Sequence, residues 1–550
     1  SELPIFDLSF LDPNGNPQAE LTNADMGSLF GAVSKGYNEN EMSQFQLKGT
    51  WVNAGDGALA SINFGASHTE MDFLSTNAYS ENLPAGWWNW SAQYFNDDMF
   101  SRVDTNGLLD GFSGGGSDKL VNYYMTADFD QLLNIWETIE DTVVPAIFND
   151  GWPTELEGKY TAGPIDTDSR VNEVTTAFYG QLNFEDEFNN MPINLAVGLR
   201  YEETEVTAKA LDKVATEMIW VNGNEWAYNY ADSQYFSDGT GKTKEFLPSL
   251  DFNIELTEDL LARVSYSRSL ARPSIGALRS NTSYNGNPKV GQRKLGEGDP
   301  TLKPYLSDNL DLSLEYYYKE GSYASIGYFK KQVENFIVTI SYAEEFGGLR
   351  DAYLGERAET ARAELIALGI QPSDQAIHDQ INANLGLPSN TPITAEETDP
   401  YTTFSIAREV NLETGNMYGL ELAVQHMFGE SGFGFQANAT LVHGDVEADR
   451  NEIEQAFALP GMSNSANFSA IYDKDGLSAR LSYNWRDEFL SGSDQHNSPV
   501  FTESYSQWDV NVNYAVNDHL TVFFEGLNIT EETQRAYVRF SEQFLRGAQF

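Results

Sequence analysis

The sequence has no cysteine, so disulfide bonds and thiolate metal sites are both excluded. It also has no run of about 18 apolar residues, the length that a transmembrane helix needs. Basic residues are scarce, with 33 Lys plus Arg against 82 Asp plus Glu and a net charge of −49. A surface this negative repels nucleic-acid phosphates, which excludes a nucleic-acid-binding protein.

Patterns that would indicate catalysis are missing as well. The six histidines are scattered without metal-ligand spacing, and no nucleophile elbow or phosphate-binding glycine loop occurs. Carboxylates are too numerous for any pair to stand out as a glycosidase dyad. We therefore predict no enzyme activity, no cofactor and no metal site. We interpret the acid-rich stretches 96–98 and 445–449 as a solvated anionic surface, with calcium binding as the alternative.

The start of the chain shows no basic segment followed by an apolar one, so we expect no signal peptide and interpret the sequence as a fragment or a processed form.

The pattern that is present is an alternation of apolar and polar residues with a period of two. Residues 193–201 carry Ile, Leu, Val, Leu and Tyr at alternate positions, separated by small, polar or charged residues. The same pattern recurs at 250–256, 477–486 and 508–514. It predicts strands with one apolar and one polar face. The mean hydropathy of −0.42 fits membrane strands, because only alternate residues of such strands meet lipid.

Short turns and long connections alternate along the chain. Seven short turns join strand pairs, which predicts 14 strands, and residues 5–10 could add one more. The turns are predicted at 53–57, 185–190, 257–259, 319–321, 429–432, 473–476 and 517–519. The longer connections are predicted at roughly 70–170, 203–245, 269–308, 341–401, 443–462 and 487–505.

Short turns on one side and long loops on the other are typical of outer-membrane barrels, in which the short turns are periplasmic. An open sheet of this size would split, and its edges could not be satisfied in lipid. The sequence therefore predicts a large antiparallel transmembrane β-barrel domain over residues 1–550. Helices are predicted inside the long loops at 127–147, 356–368 and 374–385, from their composition and stop signals.

Several stretches resemble the TonB-dependent receptors of Gram-negative outer membranes, and they occur in the same order. They are residues 265–273 (SYSRSLARP), 298–304 (GDPTLKP), 309–316, 327–331, 336–338, 417–421, 459–461 and 526–530. The long loops with helices resemble the branch of this family that takes up oligosaccharides.

The resemblance implies a 22-stranded barrel closed by an N-terminal plug, which imports scarce solutes with energy relayed by a TonB-type complex. This sequence has no recognisable plug or TonB box, has fewer strands, and stops at Phe550 where the family would continue into one more strand. We therefore interpret it as a partial barrel domain. The expected partners are outer-membrane lipid, a small-molecule or oligosaccharide ligand and, through the absent plug, the TonB-type complex.

Two aromatic clusters in the predicted loops are candidate ligand-binding sites, because flat rings suit the apolar faces of sugars. The alternative is that these rings pack loops against each other. The first cluster is Trp87, Trp88, Trp90 and Tyr94; the second is Trp220, Trp226, Tyr228, Tyr230 and Tyr235. Four arginines on the polar phase of strands are predicted to face the lumen, where they hold an acidic plug surface or balance carboxylates. They are Arg200, Arg263, Arg480 and Arg486.

The predicted function is active import of a specific solute, an oligosaccharide by preference, through a plugged barrel. Siderophore or metal-chelate import is an alternative, although the anionic surface would oppose an anionic chelate. A passive porin or structural barrel, and a soluble β-rich glycan-binding protein, are the alternatives from other classes.

Overall fold

The computed structural model describes residues 10–11, 16–18, 32–81, 99–105, 107, 123–131, 134, 165–231, 234–389, 391–412, 414–444, 461–493, 499–538 and 546–549. Strands dominate this part of the chain. In chain order they are β1 (Phe10–Leu11), β2 (Pro17–Gln18), β3 (Ala32–Val52), β4 (Leu59–Glu81), β5 (Phe100–Asp104), β6 (Tyr123–Ala127), β7 (Ile165–Phe188), β8 (Met191–Asp212), β9 (Ala215–Asn222), β10 (Glu225–Tyr230), β11 (Tyr235–Thr257), β12 (Leu260–Ala271), β13 (Thr282–Asn285), β14 (Lys294–Glu297), β15 (Tyr305–Lys319), β16 (Ser322–Glu334), β17 (Ile337–Arg350), β18 (Ile393–Thr394), β19 (Tyr401–Asn411), β20 (Gly415–Met427), β21 (Phe433–Gly444), β22 (Ser465–Lys474), β23 (Leu477–Arg486), β24 (Phe489–Ser493), β25 (Pro499–Thr502), β26 (Tyr505–Asn517), β27 (Leu520–Gly526), β28 (Gln534–Val538) and β29 (Arg546–Gln549).

Fourteen of these strands form one antiparallel sheet, which confirms the predicted strand number and fold class. Its order is β27-β26-β23-β22-β21-β20-β16-β15-β12-β11-β8-β7-β4-β3. The seven predicted turns join seven of the neighbouring pairs. The turn between β7 and β8 shows why they are so tight: Asn189 and Asn190 both have positive φ, of 53° and 64°. Two such residues make the type of turn that matches the twist of paired strands.

The extra strand predicted near residues 5–10 does not join this sheet in the described part of the chain. Phe10–Leu11 pairs instead with Pro17–Gln18. Near the other end, Arg546–Gln549 pairs with β28 in a separate four-stranded sheet with β24 and β25.

The register places apolar residues of neighbouring strands on one face, in a band that crosses the sheet. Val197 lies opposite Leu182 on one side and Leu250 on the other. Far along the sheet, Leu481 lies between Ala470 and Val510. Directly opposed residues share a face, so these rows form a continuous apolar band. We call the face that carries this band the outer face, because its side chains can be satisfied by lipid, and the opposite face the inner face.

Five strands, β3, β4, β7, β8 and β11, continue well beyond this band, where the sequence predicted loops at roughly 70–170 and 203–245. β8 runs to Asp212 and β11 begins at Tyr235. Above the ring pair of Tyr201 and Phe246, the outer face becomes charged, while the inner face becomes apolar with Val206 and Ala208 buried. The alternation therefore persists but the apolar residues change face. Because of this reversal, the hydropathy pattern alone does not reveal that the strands continue. The 14-stranded sheet, which we call the wall, extends roughly 35 Å beyond Tyr201.

The long connections between 215 and 407 fold into a compact unit, which we call the outer subdomain. It contains the sheets β10-β9-β18 and β13-β14-β19-β17 and two helices, α1 (Glu356–Ala367) and α2 (Asp374–Leu385). Both helices confirm the sequence prediction. α2 begins after Ser373, whose side chain accepts from the Ala376 amide, and ends at Gly386 with a φ of 70°. Of the helix predicted at 127–147, the structure describes residues 129–131 and 134 as helical.

A second connection, residues 272–304, turns back along the inner face of β7, β8 and β11; we call it the inner segment. Its Ala277, Leu278 and Leu302 pack against Val171, Val206 and Ala208 of the wall. In the described residues, no helix is both long enough and apolar enough to cross a bilayer.

Candidate functional site

The second aromatic cluster predicted from sequence separates into a buried part and an exposed part. Trp220 and Trp226 are no more than 2% exposed and lie in the core of the outer subdomain. Neither ring has a face that an arriving ligand could reach, so for these two residues the packing alternative describes the structure. The reason is the hairpin of β9 and β10, which turns both indoles toward helices α1 and α2.

A buried ion pair holds this core in place. Arg293 lies over the Trp226 ring, 5.1 Å from its centroid, and donates to both carboxylate oxygens of Asp351. Burial lowers the pKa of Arg293 to about 10, which still leaves it charged at neutral pH. Asp351 also accepts from the amide of Tyr353, so its carboxylate is fully engaged.

Two tyrosines of the predicted set, Tyr228 and Tyr230, lie next to this core together with Tyr284, and we call these three the tyrosine cluster. The ring centroid of Tyr284 lies 4.7 Å from that of Tyr228 and 6.0 Å from that of Tyr230. Tyr230 is 42% exposed, whereas Tyr228 is partly buried against the core. Tyr235, at the start of β11, is 56% exposed and stands opposite Asp212.

Tyr284 was not predicted from the sequence. It lies on β13, a four-residue strand in a polar stretch, and it reaches the cluster because β14 pairs with β19. No local pattern marks such a residue, since its partners are set by a long-range parallel pairing.

The three phenols of the tyrosine cluster are neutral at physiological pH. Burial raises the pKa of Tyr230 to about 12, and it also raises the pKa of Tyr228 and of Tyr284. A neutral phenol offers both a hydroxyl donor and an acceptor next to an apolar ring face. That combination suits a ligand with many hydroxyl groups and apolar C–H faces.

Five basic side chains in or near the outer subdomain are paired with carboxylates. The Lys213 ammonium lies 3.8 Å from Asp166 and 5.8 Å from the ring centroid of Tyr230. Four other basic side chains form ion pairs with carboxylates. They are Lys289–Glu225 (2.8 Å), Arg357–Asp399 (3.0 Å), Arg408–Asp299 (3.6 Å) and Arg293–Asp351. Within the described residues, no group of three or more His, Asp or Glu side chains is arranged to hold a metal ion.

The four arginines predicted to face the lumen all lie on the face opposite the apolar band. Arg200 contacts Glu202 at 2.7 Å and Arg263 contacts Glu315 at 2.8 Å, as expected if they balance carboxylates. Arg480 stands opposite Asn511. Arg486 donates to the Gly461 carbonyl and to Ser463, and thereby fixes the chain that precedes β22. Contact of these arginines with a plug remains a prediction.

Comparison with known proteins identifies the family of this sheet. Residues 5–529 match the family described as "TonB dependent receptor-like, beta-barrel". The chain belongs to this family. Members are outer-membrane proteins of Gram-negative bacteria and are transporters, so the receptor lies in the outer membrane.

Solved structures similar to this receptor share little sequence with it. The ferric yersiniabactin uptake receptor FyuA from Yersinia pestis is 10% identical, with a TM-score of 0.45, and the match covers 92% of this chain and 51% of that one. The siderophore receptor PiuA from Acinetobacter baumannii is 12% identical, with a TM-score of 0.46 and coverage of 94% and 55%. The receptor thus spans about half the length of these proteins. No curated protein matches it.

The first aromatic cluster, Trp87, Trp88, Trp90 and Tyr94, falls outside the described residues. Its role as a ligand site of the receptor stays a prediction.

Proposed function

We propose that this receptor imports a neutral oligosaccharide across the outer membrane, with energy supplied by a TonB-type complex. The observation that carries the proposal is the tyrosine cluster with its exposed Tyr230 ring, next to Lys213 and Lys289, which are both paired with carboxylates. Membership of the family supports import and its energy source. The chemistry of the site supports the ligand class.

Charge supports a neutral ligand. Recognition of an anionic chelate needs cations that are free to pair with it, and a field that draws the chelate in. Here Lys213, Lys289 and Arg408 already have carboxylate partners, and the chain carries a net charge of −49. A neutral sugar is indifferent to that field and gains from ring stacking, on the order of 1 kcal/mol for each engaged ring.

The exposed ring of Tyr230 is the residue on which we expect the sugar to stack, with Tyr235 and the first cluster (Trp87, Trp88, Trp90 and Tyr94) as further contacts. Isothermal calorimetry with malto-, cello-, xylo- and chito-oligosaccharides tests this. Tyr230→Ala should weaken binding of the best oligosaccharide about fivefold, and Tyr230→Phe should weaken it less because the ring remains. Trp88→Ala should also weaken binding.

Tyr401→Ala is the matched control, because Tyr401 is an exposed tyrosine of the same subdomain that lies under Arg350 instead. Limited proteolysis of each variant reports loss of folding separately from loss of binding. Ferric siderophores complete the panel: binding of a ferric siderophore without binding of any oligosaccharide would refute the proposed ligand class.

A further inference from the structure

The inner segment lies directly on the inner face of the wall. Wall glycines make this possible: a Cβ atom at Gly239 would lie 2.6 Å from Cγ of Pro300, and one at Gly241 would overlap the carbonyl oxygen of Pro300. Ser237 and Ser280 also meet across this contact, with their hydroxyl oxygens 3.2 Å apart. Any larger side chain at the two glycines would push the inner segment away from the wall.

Arg272, the first residue of the inner segment, fixes it to the wall by charge. Its guanidinium lies 2.6 Å from Glu173 of β7 and 2.6 Å from Glu202 of β8. Both carboxylates are only 6% exposed, and Arg272 also donates to Thr175. Loss of Arg272 would leave Glu173 without its cation, since only Glu202 has a second one, Arg200.

Further along, the same inner segment becomes part of the ligand site. Tyr284 of the tyrosine cluster is on β13, and β14 pairs in parallel with β19 of the outer subdomain. Arg408 of β19 adds ion pairs of 3.8 Å to Glu297 and 3.6 Å to Asp299. One stretch of 272–304 therefore touches both the tyrosine cluster and the inner face of the barrel.

The tyrosine rings are too close together to admit a sugar between them. A sugar held between two rings needs roughly 7–8 Å, which is twice the carbon–carbon contact distance of about 3.5–4 Å. The centroids of Tyr284 and of Tyr230, on which the sugar is proposed to stack, are 6.0 Å apart. A sugar that enters between these two rings displaces Tyr284, which belongs to β13 of the inner segment.

We propose that the inner segment transmits ligand binding to the inner face of the barrel, and that Arg272 is the positioning residue that opposes this movement. The inference rests on the proposed function in that the tyrosine cluster is the ligand site. The sugar-bound position of Tyr284 favours release of the inner segment, while the ion pairs of Arg272 favour the docked position. The affinity for the sugar then depends on how firmly the segment is docked.

A reversible disulfide tests the movement, because the chain has no cysteine of its own. Ser237→Cys with Ser280→Cys would lock the inner segment to the wall when oxidised. The control pair, Ser469→Cys with Ser482→Cys, joins two wall strands at serines whose hydroxyl oxygens are 2.8 Å apart. Calorimetry with the best-binding oligosaccharide of the panel should show affinity lower by roughly five- to 150-fold in the oxidised lock, the usual range for coupled sites. Reduction should restore it, and the control pair should show no change.

Arg272→Gln should have the opposite effect to the oxidised lock. The substitution weakens docking of the inner segment, so the variant should bind the sugar more tightly than the parent does. If Arg272 had a purely structural role, its replacement would lower the affinity for the sugar. Arg272→Lys, which keeps the charge, should lie between the two. Equal affinity in the oxidised and reduced lock would overturn this inference while the proposed function stands. Absence of oligosaccharide binding by the parent protein would overturn both.

Discussion

The indole rings of Trp220 and Trp226 lie parallel, with an angle of 4° between their planes and 5.3 Å between their centroids. Tyr353 and His378 meet the Trp220 ring edge-on, at centroid distances of 5.3 and 5.2 Å. These contacts join the β9–β10 hairpin to α2 and to the short helical turn Ala352–Leu354 that precedes α1. The stacked pair is therefore the centre of the unit that carries the tyrosine cluster.

Replacement of Trp226 by Ala should open the outer subdomain. Loss of a buried tryptophan costs about 3–5 kcal/mol, because a large cavity remains. Limited proteolysis should then cut the region of α1 and α2 faster, while the 14-stranded sheet stays resistant to the protease. Trp226→Phe should be milder, since it keeps an aromatic ring. Equal protease resistance of Trp226→Ala and the parent would contradict the packing role.

The apolar band gives a prediction about the membrane. Val197→Arg should cost about 2–4 kcal/mol of barrel stability if Val197 lies near the bilayer midplane, because the charge must enter lipid. Asn194→Arg is the control, because Asn194 is on the same strand but on the inner face. Folding titrations into lipid vesicles measure both. If Asn194→Arg proved the more damaging change, the assignment of the two faces would be reversed.

His378 should make the outer subdomain less stable in acid. Burial lowers the pKa of His378 below its ordinary value of 6.5, with the carboxylate of Asp379 3.9 Å away as the facing charge. Below pH 6.5 the unfolded chain gains a proton that the folded subdomain resists, so stability falls as the pH falls, by at most about 1.4 kcal/mol per pH unit.

Protease protection measured from pH 8 to pH 5 checks this. The parent should lose protection below about pH 6.5. His378→Gln should lose the part of this pH dependence that comes from the histidine, and exposed His519→Gln should behave as the parent. A pH profile that His378→Gln leaves unchanged would remove the histidine from the explanation.

Much of the barrel could be predicted from sequence because lipid imposes a simple rule on each strand. The alternation at 193–201 and 477–486 predicted where the strands lie and which side chains lie on each face of the sheet. The tight turns followed from residues such as Asn189 and Asn190. Helix α2 was equally clear, because Ser373 and Gly386 are strong start and stop signals.

The site was harder to predict, because its contacts join distant parts of the chain. The local sequence around Trp220 does not show whether its ring contacts a ligand or packs against helix α2. That difference depends on contacts formed in the folded subdomain. The wall above Tyr201 was read as a loop because its inner face packs on the inner segment, so the apolar residues there change sides. Arg272 lies in the stretch 265–273 that resembles the family, but nothing in that stretch predicts its ion pairs, and Tyr284 has no local signal.

Uptake of a labelled oligosaccharide by Gram-negative cells that produce the receptor tests the central claim most directly. The account predicts saturable uptake that a protonophore abolishes, because TonB-type energy depends on the inner-membrane gradient. Tyr230→Ala should reduce this uptake and Tyr401→Ala should leave it unchanged. Uptake that continues at full rate in the presence of the protonophore, and that is indifferent to Tyr230→Ala, would contradict the account and indicate a passive pore.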